Sequence, residues 1–276
     1  MRVTTWNICR AEEESPVWGL LEELHPDLVF LQEVGSIPER IERVFDVLSK
    51  VAISKKGRPQ RFSTAVLVKG KIVKEICLSS DKEWVNQELE FLEGNVISCI
   101  VQPLNQETLS VVSVYSPAWA VSQNRLNGID VSPVRLKSNS KVWATEIIWD
   151  ALKNTVSNNE KWIVGGDYNS SETFDKEWQD KNRVRFALRS SGNKEILDRM
   201  YEMGFTECLR KYNSDKIVPT FKNRSNNEIV HQMDHLFVTN NLYARLNRCT
   251  TGDQSTIFSK ALSDHLPIIA DFDEEI

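Results

Sequence analysis

Six apolar runs in this sequence each end in residues that a buried core does not want. Trp6-Asn7 closes the first run, Gln32-Glu33 closes DLVFLQEV, and Tyr115-Ser116-Pro117 closes LSVVSVY. Gly165-Gly166-Asp167-Tyr168-Asn169 follows KWIV, Asp234 opens DHLFV, and Ser263-Asp264-His265 precedes LPIIADF. Together they supply carboxylates, amides, a phenol and an imidazole, groups that can hold a cation or move a proton. An Asp or Asn alone at a strand end is usually a turn residue. Six polar strand ends in one chain carry more weight, because a sandwich of sheets gathers its strand ends at a common rim.

The elements that must position them follow from spacing. A short β-like run covers Arg2–Ile8, and Ser15-Pro16 opens a helix with Ser as N-cap and Pro at the first helical position. Asp27–Val34 is nearly continuous in apolar residues, as expected of a strand buried on both faces. Ile41, Val44, Phe45 and Leu48 have helical spacing and predict a helix over Pro38–Leu48. Further strands are expected at Thr64–Val68, Ile72–Leu78, Val96–Gln102, Leu109–Tyr115, Trp162–Gly166, Met233–Val238 and Pro267–Phe272, with helices at Ser140–Leu152 and Lys194–Met203. The long polar stretch from Ser116 to Asn139 reads as a functional loop. No repeat or linker divides the chain, so residues 1–276 form one domain. The expected architecture is α+β: a four-layer α/β sandwich of two mainly antiparallel sheets packed face to face, with helices outside.

In their order, Trp-Asn, Gln-Glu, Tyr-x-Pro, Gly-Asp-x-Asn, an Asp before an apolar strand and Ser-Asp-His-x-Pro resemble the endonuclease/exonuclease/phosphatase superfamily. The match runs from Asn7 to His265, and GGDYN and SDHLP are its most specific pieces. The resemblance implies a metal-dependent phosphodiester hydrolase. It makes Glu33 the principal ligand of Mg²⁺, with Mn²⁺ as a possible substitute, and places Asn7 and Asp264 in the same metal environment. Asp167 would orient or deprotonate the attacking water, and Asn169 would donate to the phosphate. Gly165 and Gly166 would let backbone approach the substrate. His265 would bind a phosphate oxygen or transfer a proton, with Asp234 holding its tautomer, and Tyr115 would meet the phosphate as phenol or phenolate.

Some positions depart from that pattern. Exonuclease III-like members usually carry Gly-Arg where this chain has Gly94-Asn95, and Arg61-Phe62-Ser63-Thr64 replaces a glycine-rich stretch. Both weigh against close kinship with abasic-site enzymes. Phe221 in Pro219-Thr220-Phe221 could stack on a base or sugar or fill the core, and Trp119 in the long loop could contact substrate or pin that loop to the body. His231, three residues before Asp234, could reach the rim but is read as an ordinary histidine, and His235, next to Asp234, should point to the opposite strand face.

The net charge of −5 argues against a nucleic-acid binder, but the charge is uneven. Residues 55–61, 181–194 and 210–224 carry +4, +5 and +4, leaving −18 on the rest. Basic loops on an acidic body suit a phosphate polymer, DNA first and RNA second, with Arg183 and Arg185 as candidate contacts. Five scattered cysteines form no CxxC pair, and no run is apolar enough for a leader or a membrane span. A reducing cytoplasmic setting without a membrane is therefore expected, and no obligate protein partner is visible. The leading reading is a Mg²⁺-dependent nuclease. The alternatives are a phosphatase or phosphodiesterase on a small or lipid phosphate, and a catalytically inactive nucleic-acid-binding module.

Overall fold

The apolar runs pair into two six-stranded sheets stacked face to face. The structure, a computed structural model, describes residues 1–156, 160–179, 192–214 and 216–273. The first sheet has the order β11 (Leu246–Thr251), β12 (Ile268–Phe272), β1 (Arg2–Ala11), β2 (Leu28–Val34), β4 (Pro59–Val68) and β3 (Asp46–Ile53). The second has the order β5 (Gly70–Glu75), β6 (Val96–Pro103), β7 (Leu109–Tyr115), β8 (Trp162–Asp167), β10 (Asp234–Thr239) and β9 (Phe205–Glu207). Neighbours are antiparallel except β1–β2 and β7–β8, one parallel pair inside each sheet.

Alternation along the strands explains the four layers. Leu28 and Phe30 point between the sheets with Val66, Val68, Val111, Ile163, Leu236 and Val238. Their neighbours Val29 and Leu31, with Trp6, Ile8 and Leu67, point outward under α1 (Val17–Glu23) and α8 (Gln254–Ser259). On the far side, Val112, Val114, Val164 and Phe237 pack under α4 (Ala144–Thr155) and α6 (Asn193–Glu202). Strands covered on both faces read as continuous apolar runs, and DLVFLQEV is such a strand.

Two expectations need correction. The helix expected over Pro38–Leu48 is a single turn, α2 (Glu39–Glu42), after which Asp46–Ile53 enters the sheet beside β4. Helical spacing misled here because Val44 is exposed, so the four apolar positions never shared one buried face. The stretch from Ser116 to Asn139 also serves the core, since Val121, Leu126, Val134 and Leu136 are buried against α4 and the second sheet. No described helix is long and apolar enough to cross a membrane.

Candidate active site

Register brings the polar strand ends to one rim. In the parallel pairs Asn7 lies beside Gln32 and Tyr115 beside Asp167, while antiparallel pairing sets Asp234 beside Asp167. The chain is then re-aimed locally. Register shifts interrupt β1 between Asn7 and Ala11 and β2 between Leu31 and Val34. Within those bulges Cys9 (φ 50°), Arg10 (φ 61°) and Glu33 (φ 49°) take left-handed backbone, which is strained for residues with a Cβ. Asn169 (φ 47°) does the same just past β8. Strain held at several rim residues marks a place where side-chain direction outweighs backbone comfort.

The rim encloses a cleft of about 700 Å³. Its floor is a buried carboxylate–imidazole–carboxylate row. His265 Nδ1 lies 2.8 Å from Asp234 Oδ2, and His265 Nε2 lies 3.9 Å from Asp167 Oδ2. Asp167 also accepts from Asn169 N–H at 2.8 Å, Asn169 Nδ2 at 3.2 Å and Asn7 Nδ2 at 3.1 Å. Burial pushes the Asp167 carboxyl up to about 7; His265 and the Asn donors oppose the rise and Asp234 adds to it. Burial alone would lower His265, but Asp234 and Asp167 outweigh it and lift the imidazole to about 10.

Glu33 and Asp264 line the same cleft nearer its mouth. Each meets an arginine: Arg10 Nε is 3.3 Å from Glu33, and Arg224 Nε is 2.8 Å from Asp264. Tyr115 stands beside Glu33, and burial followed by the Glu33 and Asp167 charges pushes its phenol well above the ordinary range. That direction favours the neutral phenol, which can donate a hydrogen bond.

The donors fit a hard cation in a particular way. Asp167, Asp234 and His265 place ligand-type atoms within 4.8 Å of one another. Both nitrogens of that imidazole, however, already face carboxylates, so the row is better suited to holding protons. Glu33 and Asp264 offer carboxylate oxygens that line the cleft and stay partly exposed, which is what Mg²⁺ takes when it keeps several waters. Asn7 Oδ1 accepts from Cys9 N–H at 3.0 Å and keeps a second lone pair, while its Nδ2 serves Asp167.

Other expected residues fall where the sequence could not place them. Phe221 lines the cleft, its ring 4.9 Å from that of His265, because its backbone bridges both His231 and His265. Trp119 does not line the cleft; it packs against the core beside α4, where an aromatic ring holds the long loop down. His231, read as ordinary, lines the cleft with Phe174, their rings 4.2 Å apart. His235 turns away to Glu207, Gln232 and the Ser170 carbonyl, as strand alternation requires. Arg183 and Arg185 lie outside the described residues. Arg10, Arg224 and Asn223 also line the cleft, and the sequence singled out none of them individually.

The paired glycines have a packing role. A Cβ on Gly165 would sit 2.8 Å from Leu236 and 2.9 Å from Phe30, in the inter-sheet core. A Cβ on Gly166 (φ 150°) would sit 1.8 Å from the Val114 carbonyl oxygen on the adjacent strand. Close approach is needed here, but to the neighbouring strand and the facing sheet. Asn95 likewise is fully buried and accepts from Ile53 N–H at 3.2 Å, so it holds a turn.

The family model described as Endonuclease/Exonuclease/phosphatase family matches residues 4–265. The chain belongs to this family. No curated protein matches the sequence significantly. Among solved structures, an AP endonuclease from Archaeoglobus fulgidus is 21% identical, with TM-score 0.71 and 99% of each chain covered. A 3' phosphatase, NExo, from Neisseria, bound to product DNA hairpin, is 17% identical with TM-score 0.66 and 99% of each chain covered. The AP endonuclease LMAP from Leishmania major is 14% identical with TM-score 0.66, covering 99% of this chain and 88% of its own. At such identities the likeness is one of fold, and it bears out the four-layer sandwich. The family is one of divalent-metal-dependent hydrolases, nucleases and phosphatases alike.

Proposed function

We propose that this endonuclease/exonuclease/phosphatase member is a Mg²⁺-dependent nuclease that hydrolyses DNA phosphodiester bonds by in-line attack of water, with Mn²⁺ able to replace Mg²⁺. The observation that carries this reading is the buried Asp234–His265–Asp167 row at the floor of a cleft whose mouth holds Glu33 and Asp264.

Glu33 and Asp264, with Asn7 beside them, are the residues that would hold the ion. Bound there, it would polarise a phosphoryl oxygen and stabilise the leaving alkoxide. The chain's own groups do the rest. Asp167, fixed by Asn7 and Asn169, presents its carboxylate to a water and takes its proton. The Asn169 amide and the Tyr115 phenol donate to the phosphate, and His265, held in orientation by Asp234, places Nε2–H where negative charge develops. Phe221, Phe174 and His231 form one wall of the cleft and suit a sugar or base face.

Charge at the rim favours a polymer. Val34 pairs with Ser63, so the β3–β4 hairpin bearing Lys55, Lys56, Arg58 and Arg61 projects from the end of the sheet that carries Glu33. The 210–224 segment contributes less than its charge implied. Arg210 is spent on Glu172 and Glu207, Lys211 on the carbonyls of Tyr243 and Leu246, and Lys222 lies over Phe258. The described cysteines are all free.

A cleavage panel tests the reading. It holds duplex DNA, abasic duplex, single-stranded DNA, RNA, a 3'-phosphorylated oligonucleotide and inositol phosphates, each with and without Mg²⁺. DNA cutting should require Mg²⁺ and fall at least ~100-fold in Asp167→Asn. Phosphate release from small substrates alone would move the protein to the phosphatase branch. A fully active Asp167→Asn protein would sink the assignment of the site.

A further inference from the structure

Arg10 and Arg224 have a similar and unusual placement. Each side chain is mostly exposed, at 59% and 67%, yet each covers a carboxylate that is only 18% or 20% exposed, Glu33 and Asp264 respectively. The two come from different segments. Arg10 lies in the β1 bulge, with its guanidinium 5.2 Å from the Phe62 ring, which meets Tyr115 edge-on. Arg224 comes from the chain after Phe221, anchored by Lys222 N–H on the Asp264 carbonyl, and its Nη2 reaches Cys9 Sγ at 2.6 Å. Both guanidinia therefore lie on the solvent side of the carboxylates that a cation would use. Among the described residues, Arg10 and Arg224 are the arginines that line the cleft.

We propose that Arg10 and Arg224 are two backbone-phosphate subsites, held in reserve on Glu33 and Asp264 and released to the nucleic acid when a divalent cation takes those carboxylates over. The chemistry runs in one direction. A guanidinium that stands mostly in water, as both of these do, gains little from its pair, equivalent to roughly a one-and-a-half- to five-fold shift in an equilibrium, so the pairs are easily broken. A divalent ion on the same carboxylates removes the attraction and replaces it with repulsion between like charges. The freed guanidinia keep their positions at the cleft mouth, where their forked donors match phosphate oxygens flanking the one under attack. Metal and polymer thus take opposite partners of the same ion pairs. Loading the metal raises affinity for the polymer, and by linkage the polymer raises affinity for the metal.

The inference rests on Glu33 and Asp264 being the cation's ligands, and the experiment separates the two. Mn²⁺ binding is followed by electron paramagnetic resonance in the wild type, Glu33→Gln, Arg10→Gln, Arg224→Gln and the double arginine variant. Binding of a fluorescent single-stranded oligonucleotide is followed by anisotropy against salt, with Mn²⁺ and in an Asp167→Asn background, whose cutting is slowed at least ~100-fold. Removing an arginine should tighten Mn²⁺ by about one-and-a-half- to five-fold. The same change should weaken the oligonucleotide and reduce the slope of log affinity against log salt by about 0.7 per arginine. Unchanged or weaker Mn²⁺ binding in the arginine variants would overturn the competition, and unchanged oligonucleotide binding would overturn the subsites. If Glu33→Gln binds Mn²⁺ like the wild type, the metal assignment itself fails and takes this inference with it.

Discussion

Replacing Gly166 with Ala should unfold the site from behind. Gly166 has φ 150°, and an added Cβ would stand 1.8 Å from the Val114 carbonyl oxygen. That oxygen belongs to backbone, so no rotamer change can relieve the contact. The forced backbone conformation costs about 1–3 kcal/mol and the overpacking about 1–3 kcal/mol more, so a loss of roughly 2–6 kcal/mol is expected. Against a total stability on the order of 5–15 kcal/mol this is severe. Gly166 pairs with Val114, and the next pair along the ladder is Asp167 with Tyr115, so parting β7 from β8 separates two cleft residues as well. Urea unfolding, extrapolated to water, measures the loss, and turnover on the best substrate of the panel should fall with it. Gly19 is the control. It lies in α1 with nothing within 4 Å of an added Cβ, so Gly19→Ala should be neutral or stabilising by up to about 1 kcal/mol. A Gly166→Ala protein within about 0.5 kcal/mol of wild type, the usual scatter of surface substitutions, would refute the packing argument.

Two further outcomes follow from the floor of the cleft. Because the folded His265 pKa, about 10, lies above its unfolded value of about 6.5, its stabilisation is fully present below about pH 6.5 and is lost as pH rises through about 10. In metal-free Asp234→Asn the largest upward influence is gone, so the His265 imidazole resonance should titrate well below wild type, and an unmoved titration by NMR would contradict the pairing. Thr220→Val should destabilise by about 1–3 kcal/mol, because its hydroxyl accepts from Met233 N–H at 3.0 Å and Asp234 N–H at 3.1 Å in a fully buried position. Denaturant midpoints would show that loss, and a midpoint equal to wild type would show that those N–H groups find other acceptors.

Much of this protein was legible in one dimension. Strands buried on both faces leave continuous apolar runs, and a polar group where such a run stops is visible without coordinates. That is why Glu33, Asp167, Asn169, Asp234, Asp264 and His265 could be named from sequence, and the structure brings all but Asp234 to the lining of one cleft, with Asp234 buried behind His265. Local spacing failed where the deciding contact was distant. Nothing near Phe45 says that Asp46–Ile53 will pair with β4, and nothing near Trp119 says that its loop will turn into the core. His231 and Arg224 reach the cleft through bridges and hydrogen bonds to Phe221 and Asp264, contacts made only after both sheets have formed. The sequence by itself determined the residue types, their order along the chain and the periodicity that builds two sheets. Tertiary structure alone decided which charges face the cleft and which are spent elsewhere, because a charge meets its partner through space rather than along the chain.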